Sequence, residues 1–199
     1  MIRGLWSLLL ALGLVSVAAG AELPGDSLYQ LEIGLVSQDG QPRTLALYRG
    51  QPTMISMFYG SCPRVCPLLI ANIRRMEQQL PERERGRLRV LLVSLDPDRD
   101  SPDKLLELAR RHQVDLARWT LARAEAADVR KLAAALGIRY RQLPDGEFNH
   151  STVISLLDPE GRIQKQTSVV AALDPEFVAA LRQASSQSAA SPLPGTDPD

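Results

Sequence analysis

Beyond the first 21 residues, two stretches of the chain are apolar at nearly every position, and much of the remainder repeats at helical spacing. Thr53 to Phe58 and Leu88 to Leu95 are the nearly continuous runs. This is the pattern of strands buried on both faces. Between them Leu69, Ile70, Ile73 and Met76 fall on one side of a helix that should begin near Cys66, with Pro67 at its first turn. A helix joining two strands of one sheet makes them parallel. Ser101 can cap a second helix, with Pro102 at N1 and Leu105, Leu106, Leu108 and Ala109 apolar. Trp119-Thr120-Leu121 is a short apolar piece. Glu125 to Leu136 predicts a further helix, with Gly137 as its C′ residue. Ile138-Arg139-Tyr140 is a candidate short strand, and Leu143 to Glu147 a turn.

Both ends of the domain predict hairpins. Tyr29 to Ile33 alternates as a strand, Gln38-Asp39-Gly40-Gln41 is a turn, and Thr44 to Leu47 returns. Near the C-terminus, Thr152 to Leu157 is a strand, Asp158 to Gly161 turns, and Arg162 to Val169 pairs back. A final helix starts at Asp174-Pro175-Glu176, with Phe177, Val178 and Leu181 facing inward. This order predicts a three-layer α/β sandwich: helices flanking a central mixed sheet, an N-terminal hairpin, and a C-terminal hairpin plus helix.

The first 21 residues have a different character. Arg3 is followed by an apolar stretch from Leu5 to Val17, then by Ala19-Gly20-Ala21. That is the layout of a secretory signal cleaved before Glu22, and the apolar stretch is short for a membrane span. The domain is therefore expected outside the cytoplasm, in a bacterial periplasm, either soluble after cleavage or anchored by its N-terminus. From Ser185 the chain is rich in Ser, Ala, Pro and Gly without a period, which predicts a disordered tail over 185–199. The folded domain is then 22–184. Lys plus Arg and Asp plus Glu are balanced at 23 each, which gives no electrostatic case for nucleic acid.

The chemistry centres on Cys62 and Cys66, the two cysteines of the chain. They lie in the loop between the first apolar strand and its helix. Positions i and i+4 of a helical turn share a face, with Cα atoms roughly 6 Å apart. That separation permits a disulfide. It also lets both sulfurs meet one metal ion. A disulfide closing so short a loop stabilises by only about 2 kcal/mol, so a switching role suits the pair better than a staple. The helix N-terminus favours thiolate. Thiolates are soft ligands, and Cu(I) accepts fewer of them than the four donors tetrahedral zinc requires.

Two histidines are available as a third donor. His112 lies late in a charged helix, beside Arg110 and Arg111, and reads as a surface residue. His150 sits in Phe148-Asn149-His150-Ser151, at a loop edge before an apolar strand, where it can serve as a turn residue or face the cysteines. Two thiolates and an imidazole suit copper. Asp96 and Asp100 lie past the C-terminal end of the second apolar strand, where ligands gather on parallel sheets. They can be turn and cap residues, or can orient the site from behind the ligands.

Taken together, Cys62-Pro63-Arg64-Val65-Cys66-Pro67, Ser94-Leu95-Asp96-Pro97-Asp98-Arg99-Asp100, and His150-Ser151 before a strand ending Leu157-Asp158-Pro159-Glu160-Gly161 resemble the Sco/SenC family. The resemblance spans roughly residues 25 to 184. It implies a thioredoxin-like fold and copper bound by Cys62, Cys66 and His150. It also implies a role in maturing copper sites, such as the CuA centre of cytochrome c oxidase, as a copper chaperone, a thiol–disulfide reductase, or both. The partners implied are a copper-enzyme acceptor, a periplasmic copper donor and a thioredoxin-like reductant. The family aspartate would be Asp96. Asn149 stands where family members often carry an acidic residue.

Three other readings use the same cysteines. A metal-independent thiol–disulfide oxidoreductase with catalytic Cys62 and Cys66 resembles thioredoxins, which have CxxC and a cis-proline where this chain has His150-Ser151-Thr152. A peroxidase needs the P-x-x-x-[T/S]-x-x-C pattern, which neither cysteine satisfies. A copper or redox sensor would have the same site as a chaperone and a different partner.

Overall fold

The computed structural model describes residues 22–62 and 65–190, with backbone alone for 65, 66 and 188–190. The signal segment at 1–21 and the tail at 191–199 lie outside the described residues. A seven-stranded mixed sheet forms the centre. Its strands in chain order are β1 (Leu35–Ser37), β2 (Pro42–Arg43), β3 (Thr53–Phe58), β4 (Arg89–Ser94), β5 (Trp119–Ala124), β8 (Ile154–Leu157) and β9 (Ile163–Thr167). Across the sheet they run β2-β1-β5-β4-β3-β8-β9. A separate antiparallel ribbon pairs β6 (Tyr140–Gln142) with β7 (Phe148–His150). The helices are α1 (Val65–Glu77), α2 (Glu82–Arg87), α3 (Pro102–Arg111), α4 (Ala126–Ala135) and α5 (Pro175–Ala190).

The apolar runs became the middle of the sheet. β3 is buried at every position and β4 at all but its first. They pair in parallel from Thr53↔Arg89 to Phe58↔Ser94, as a helical crossover demands. β5 adds in parallel to β4, and β8 pairs antiparallel to β3. Strands buried on both faces need cover on both faces. α3 packs against β5 and β1, and α5 against β9 and α2. The β3-α1-β4 unit followed by β8, β9 and α5 is the thioredoxin-like motif. Because β3 and β4 end side by side, the loops at 59–62 and 95–101 emerge together at one end of the sheet.

The edges depart from the sequence expectation. Tyr29 to Ile33 is not a strand: Leu28–Gln30 is a single 3₁₀ turn, capped by Ser27 accepting from the Tyr29 amide at 3.1 Å. Leu28 and Tyr29 are buried in succession, which alternation does not allow. The turn holds this segment against the β8–β9 hairpin, where the Leu28 amide donates to Gly161 O. The Tyr29 ring lies so close to Gly161 that a Cβ there would come within 2.7 Å of it, and Gly161 has φ 87°. The N-terminal hairpin does form around Asp39-Gly40, but from β1 and β2, and Leu45–Tyr48 is another 3₁₀ turn. α2 has the charged sequence Glu-Arg-Glu-Arg-Gly-Arg and no buried residue, so no apolar period marks it in the sequence. α5 runs to Ala190, past the expected start of the tail, and Ser185 within it is fully buried. Its last turns are Ser, Gln and Ala, and Ala is the strongest helix former. Among the described residues no helix is long and apolar enough to cross a membrane.

Candidate metal centre

The 59–62 loop is fixed from below by buried carboxylates. Gly60 donates its amide to Asp100 Oδ2 at 2.8 Å, and the Ser94 hydroxyl, at the end of β4, donates to the same oxygen. Asp100 is 3% exposed, and burial raises its carboxyl above the usual range despite those two donors. A Cβ on Gly60 would collide with Asp100 Oδ1. The cap of α3 is Ser101, which accepts from the Lys104 amide at 3.4 Å. Asp100 is therefore a buried support of the cysteine loop. Asp96 is also buried; its amide donates to the Ser94 hydroxyl oxygen at 2.9 Å, and its carboxylate forms an ion pair with Arg99. Arg99 also donates to the carbonyl of Gly146, in the turn between β6 and β7.

Cys62 is buried, 8% exposed, and its amide donates to Tyr59 O at 3.2 Å. Cys66 is the second residue of α1, and its side chain lies outside the described residues, as do Pro63 and Arg64. α1 starts at Val65, which puts Pro67 at its third position, still in the first turn where an amide has no helical partner. Cys66 thus sits where the helix dipole favours a thiolate.

His150 ends β7 and is half-buried. Its Nδ1 lies 3.2 Å from the carbonyl of Ser151. A carbonyl only accepts, so Nδ1 carries the proton and Nε2 keeps its lone pair. Burial lowers the imidazole below its ordinary value, against the opposing effect of that bond, and keeps it neutral at pH 7.

Tyr59 joins the two halves. Its ring meets His150 edge-on at 5.6 Å and Phe148 at 5.3 Å. Its hydroxyl donates to Glu147 Oε2 at 3.0 Å. Its phenol is held well above the usual range, first by burial and then by hydrogen bonding with Cys62 and Glu147. Cys62 and His150 therefore flank one side chain at the C-terminal end of β3. Among the described residues no three His, Cys, Asp or Glu side chains converge as a metal site. Asp96 and Asp100 point into the loop framework. His112 is the C-cap of α3 and half-buried, not simply a surface residue, and its carbonyl accepts from Arg74.

Sequence reasoning did not find Tyr59, Arg99 or Glu147. Tyr59 and Glu147 are 88 positions apart, so no local period links them. The aromatic just before the cysteine loop was the one signal.

These features define a class: a thioredoxin-fold protein with a thiol and an imidazole at one end of its sheet. Within that class, the sequence model described as SCO1/SenC matches residues 23–185, and the chain belongs to the SCO1/SenC family. A Stutzerimonas stutzeri relative is 26% identical over 137 residues, 67% of this chain and 66% of that protein, so the chain spans about two thirds of that relative's length. The SCO1 protein homolog of Bacillus subtilis is 23% identical over 168 residues, 82% of this chain and 86% of that one. Bradyrhizobium japonicum ScoI, solved with copper bound, superposes with a TM-score of 0.65 at 23% identity, covering 76% of this chain and 96% of that chain. At that identity the likeness speaks for the fold.

Proposed function

We propose that this protein is an exported, periplasmic copper metallochaperone that carries one copper ion on Cys62, Cys66 and His150. The observation that carries the reading is the His150 hydrogen bond: with Nδ1 committed to the Ser151 carbonyl, Nε2 is left as a donor. Membership of the SCO1/SenC family and the copper-bound relative support it. The donor set fits the cargo: two soft sulfurs and a neutral imidazole suit Cu(I), and an added oxygen ligand suits Cu(II). The buried carboxylates Asp96 and Asp100 hold the loop and do not compete as ligands.

Cargo is released when an acceptor ligand replaces one of these three. A copper-enzyme acceptor such as the CuA subunit of cytochrome c oxidase has thiolates that could do so. The same pair can act as a reductant: two thiols become a disulfide, and their two electrons and two protons pass to a target disulfide, which becomes two thiols. A thioredoxin-like reductant would then restore the dithiol. Oxidation removes both sulfur ligands, so cargo loading and redox state are linked.

Copper stoichiometry and Cu(I) affinity on fully reduced protein test this. One copper per wild-type chain is expected. Cys62→Ala, Cys66→Ala and His150→Ala should each weaken binding by at least about tenfold, or 1.4 kcal/mol. Equal retention in all three would overturn the ligand set. Reduction of a model peptide disulfide that persists in His150→Ala would favour the metal-independent oxidoreductase.

A further inference from the structure

The β6–β7 ribbon that carries His150 is not a strand pair of the central sheet. Its backbone bonds are internal: Leu143 N to Glu147 O at 2.7 Å, Gly146 N to Leu143 O at 2.9 Å, and Ser151 N to Arg139 O at 2.9 Å. Both outer positions of the ribbon, Arg141 and Asn149, are exposed. Among the described residues, two hydrogen bonds cross from the body to this ribbon. One is from the Tyr59 hydroxyl to Glu147, at 3.0 Å, and the other from Arg99 to the Gly146 carbonyl. The remaining contacts are side-chain packing: Tyr59 lies on Phe148 and His150, and Tyr140 and Phe148 rest partly buried against the edge of the hydrophobic core. Both donors are rooted at the cysteine end: Tyr59 opens the 59–62 loop, and Arg99 is held by buried Asp96.

From this geometry we infer that Arg99, Tyr59 and Glu147 are positioning residues that latch the His150 ribbon against the cysteine loop. Opening the latch carries the imidazole away from Cys62 as one unit. Asp96 belongs to the latch: it fixes the guanidinium that holds the ribbon's turn. A ribbon that, among the described residues, is tied to the body through side chains opens more readily than a strand zipped into a sheet, since local opening is set by the contacts it breaks. The consequence for cargo rests on the ligand role proposed for His150; the latch itself does not.

Amide hydrogen exchange on the reduced, metal-free protein tests the latch. Arg99→Ala and Glu147→Ala should each speed exchange at the Leu143 and Ser151 amides at least about tenfold, while β3 and β4 amides keep their protection. Glu147→Gln keeps an oxygen acceptor for Tyr59 and should restore most of the protection lost in Glu147→Ala. The His150 ring resonances should shift in the two alanine variants and return in Glu147→Gln. Unchanged exchange in both alanine variants, faster exchange throughout the chain, or failure of Glu147→Gln to rescue would each overturn the latch. Cu(I) affinity then separates the two ideas. Weaker binding in Arg99→Ala than in wild type supports the latch as a control on cargo. Wild-type affinity in Arg99→Ala, with the ribbon shown to be loosened, overturns that control. A wild type that binds no copper refutes the ligand reading and leaves the exchange result to decide the latch.

Discussion

At the scale of single residues, the site is specified by what cannot be added as much as by what is present. Gly60 lies at the head of the cysteine loop, with Asp100 where a side chain would go. Its amide is one of two donors on that buried carboxylate. Gly60→Ala must therefore push Asp100 aside, straining its bonds to Gly60 and Ser94 together. Overpacking of this kind costs about 1–3 kcal/mol, and loosening a buried charged acceptor adds to it. Chemical denaturation should show a midpoint shift of that order, with faster alkylation of Cys62. A variant as stable as wild type would mean that the loop has room to move. Asp100 was legible in the sequence as a loop or cap residue; its true partner, a glycine amide 40 positions earlier, was not.

At the scale of elements, α1 spans the molecule from the thiol end to a buried polar knot. Glu77, in its last turn, is 7% exposed. It accepts from Trp119 Nε1 at 3.0 Å and from Arg118 Nη1 at 3.1 Å. The end of the helix is thereby bound to the start of β5. Glu77→Ala leaves the indole N–H without its acceptor and leaves Arg118 with Asp115 as its remaining carboxylate. Breaking a buried pair from one side costs about 3 kcal/mol or more. Urea unfolding followed by Trp119 fluorescence should show that loss, and a shift below about 1 kcal/mol would mean water reaches the knot. Elements as continuous as β3 and β4, or as periodic as α1 and α3, were legible from pattern because burial repeats along them. The short edge pieces were not. β2 is two residues long, and β7 is three residues with alternation too brief to read. Tyr29 is buried beside Leu28 because the chain wraps a turn there, an outcome set by tertiary packing that a local period does not encode. Cys62, His150 and their order along the chain were legible; the aromatic and arginine ties between them come from segments that only the fold brings together.

At the scale of the whole molecule, lowered pKa values of two kinds of group, imidazole and carboxylate, divide the pH axis into two windows. Both histidines are held below the ordinary imidazole value, His112 by burial and then by the charges of Arg111 and Arg74, and His150 by burial. As pH falls through about 6.5, the ordinary imidazole value, the unfolded chain takes up protons that the folded chain refuses. Stability therefore drops until the folded values are passed, and then levels. Asp39, held low by the Ser37 hydroxyl, and Asp174, held low by the Thr167 hydroxyl and the Phe177 amide, act further down. Their contribution is complete above the ordinary carboxylate range and is lost as pH falls through their depressed folded values. Asp100 has the opposite sign: burial disfavours its charge, so acidification through its raised value relieves a cost. The reduced, metal-free protein should thus melt lower at pH 5 than at pH 7.5, with a second decline below the ordinary carboxylate range. His112→Gln should flatten the first decline and leave the second in place, because it removes one imidazole while the carbonyl that Arg74 binds stays. Melting temperatures across pH 3 to 8 for the two proteins decide it. An unchanged slope between pH 7.5 and 5 in His112→Gln would assign that window to His150 alone; on the ligand set proposed above, copper at saturating concentration should then suppress it by holding the imidazole neutral.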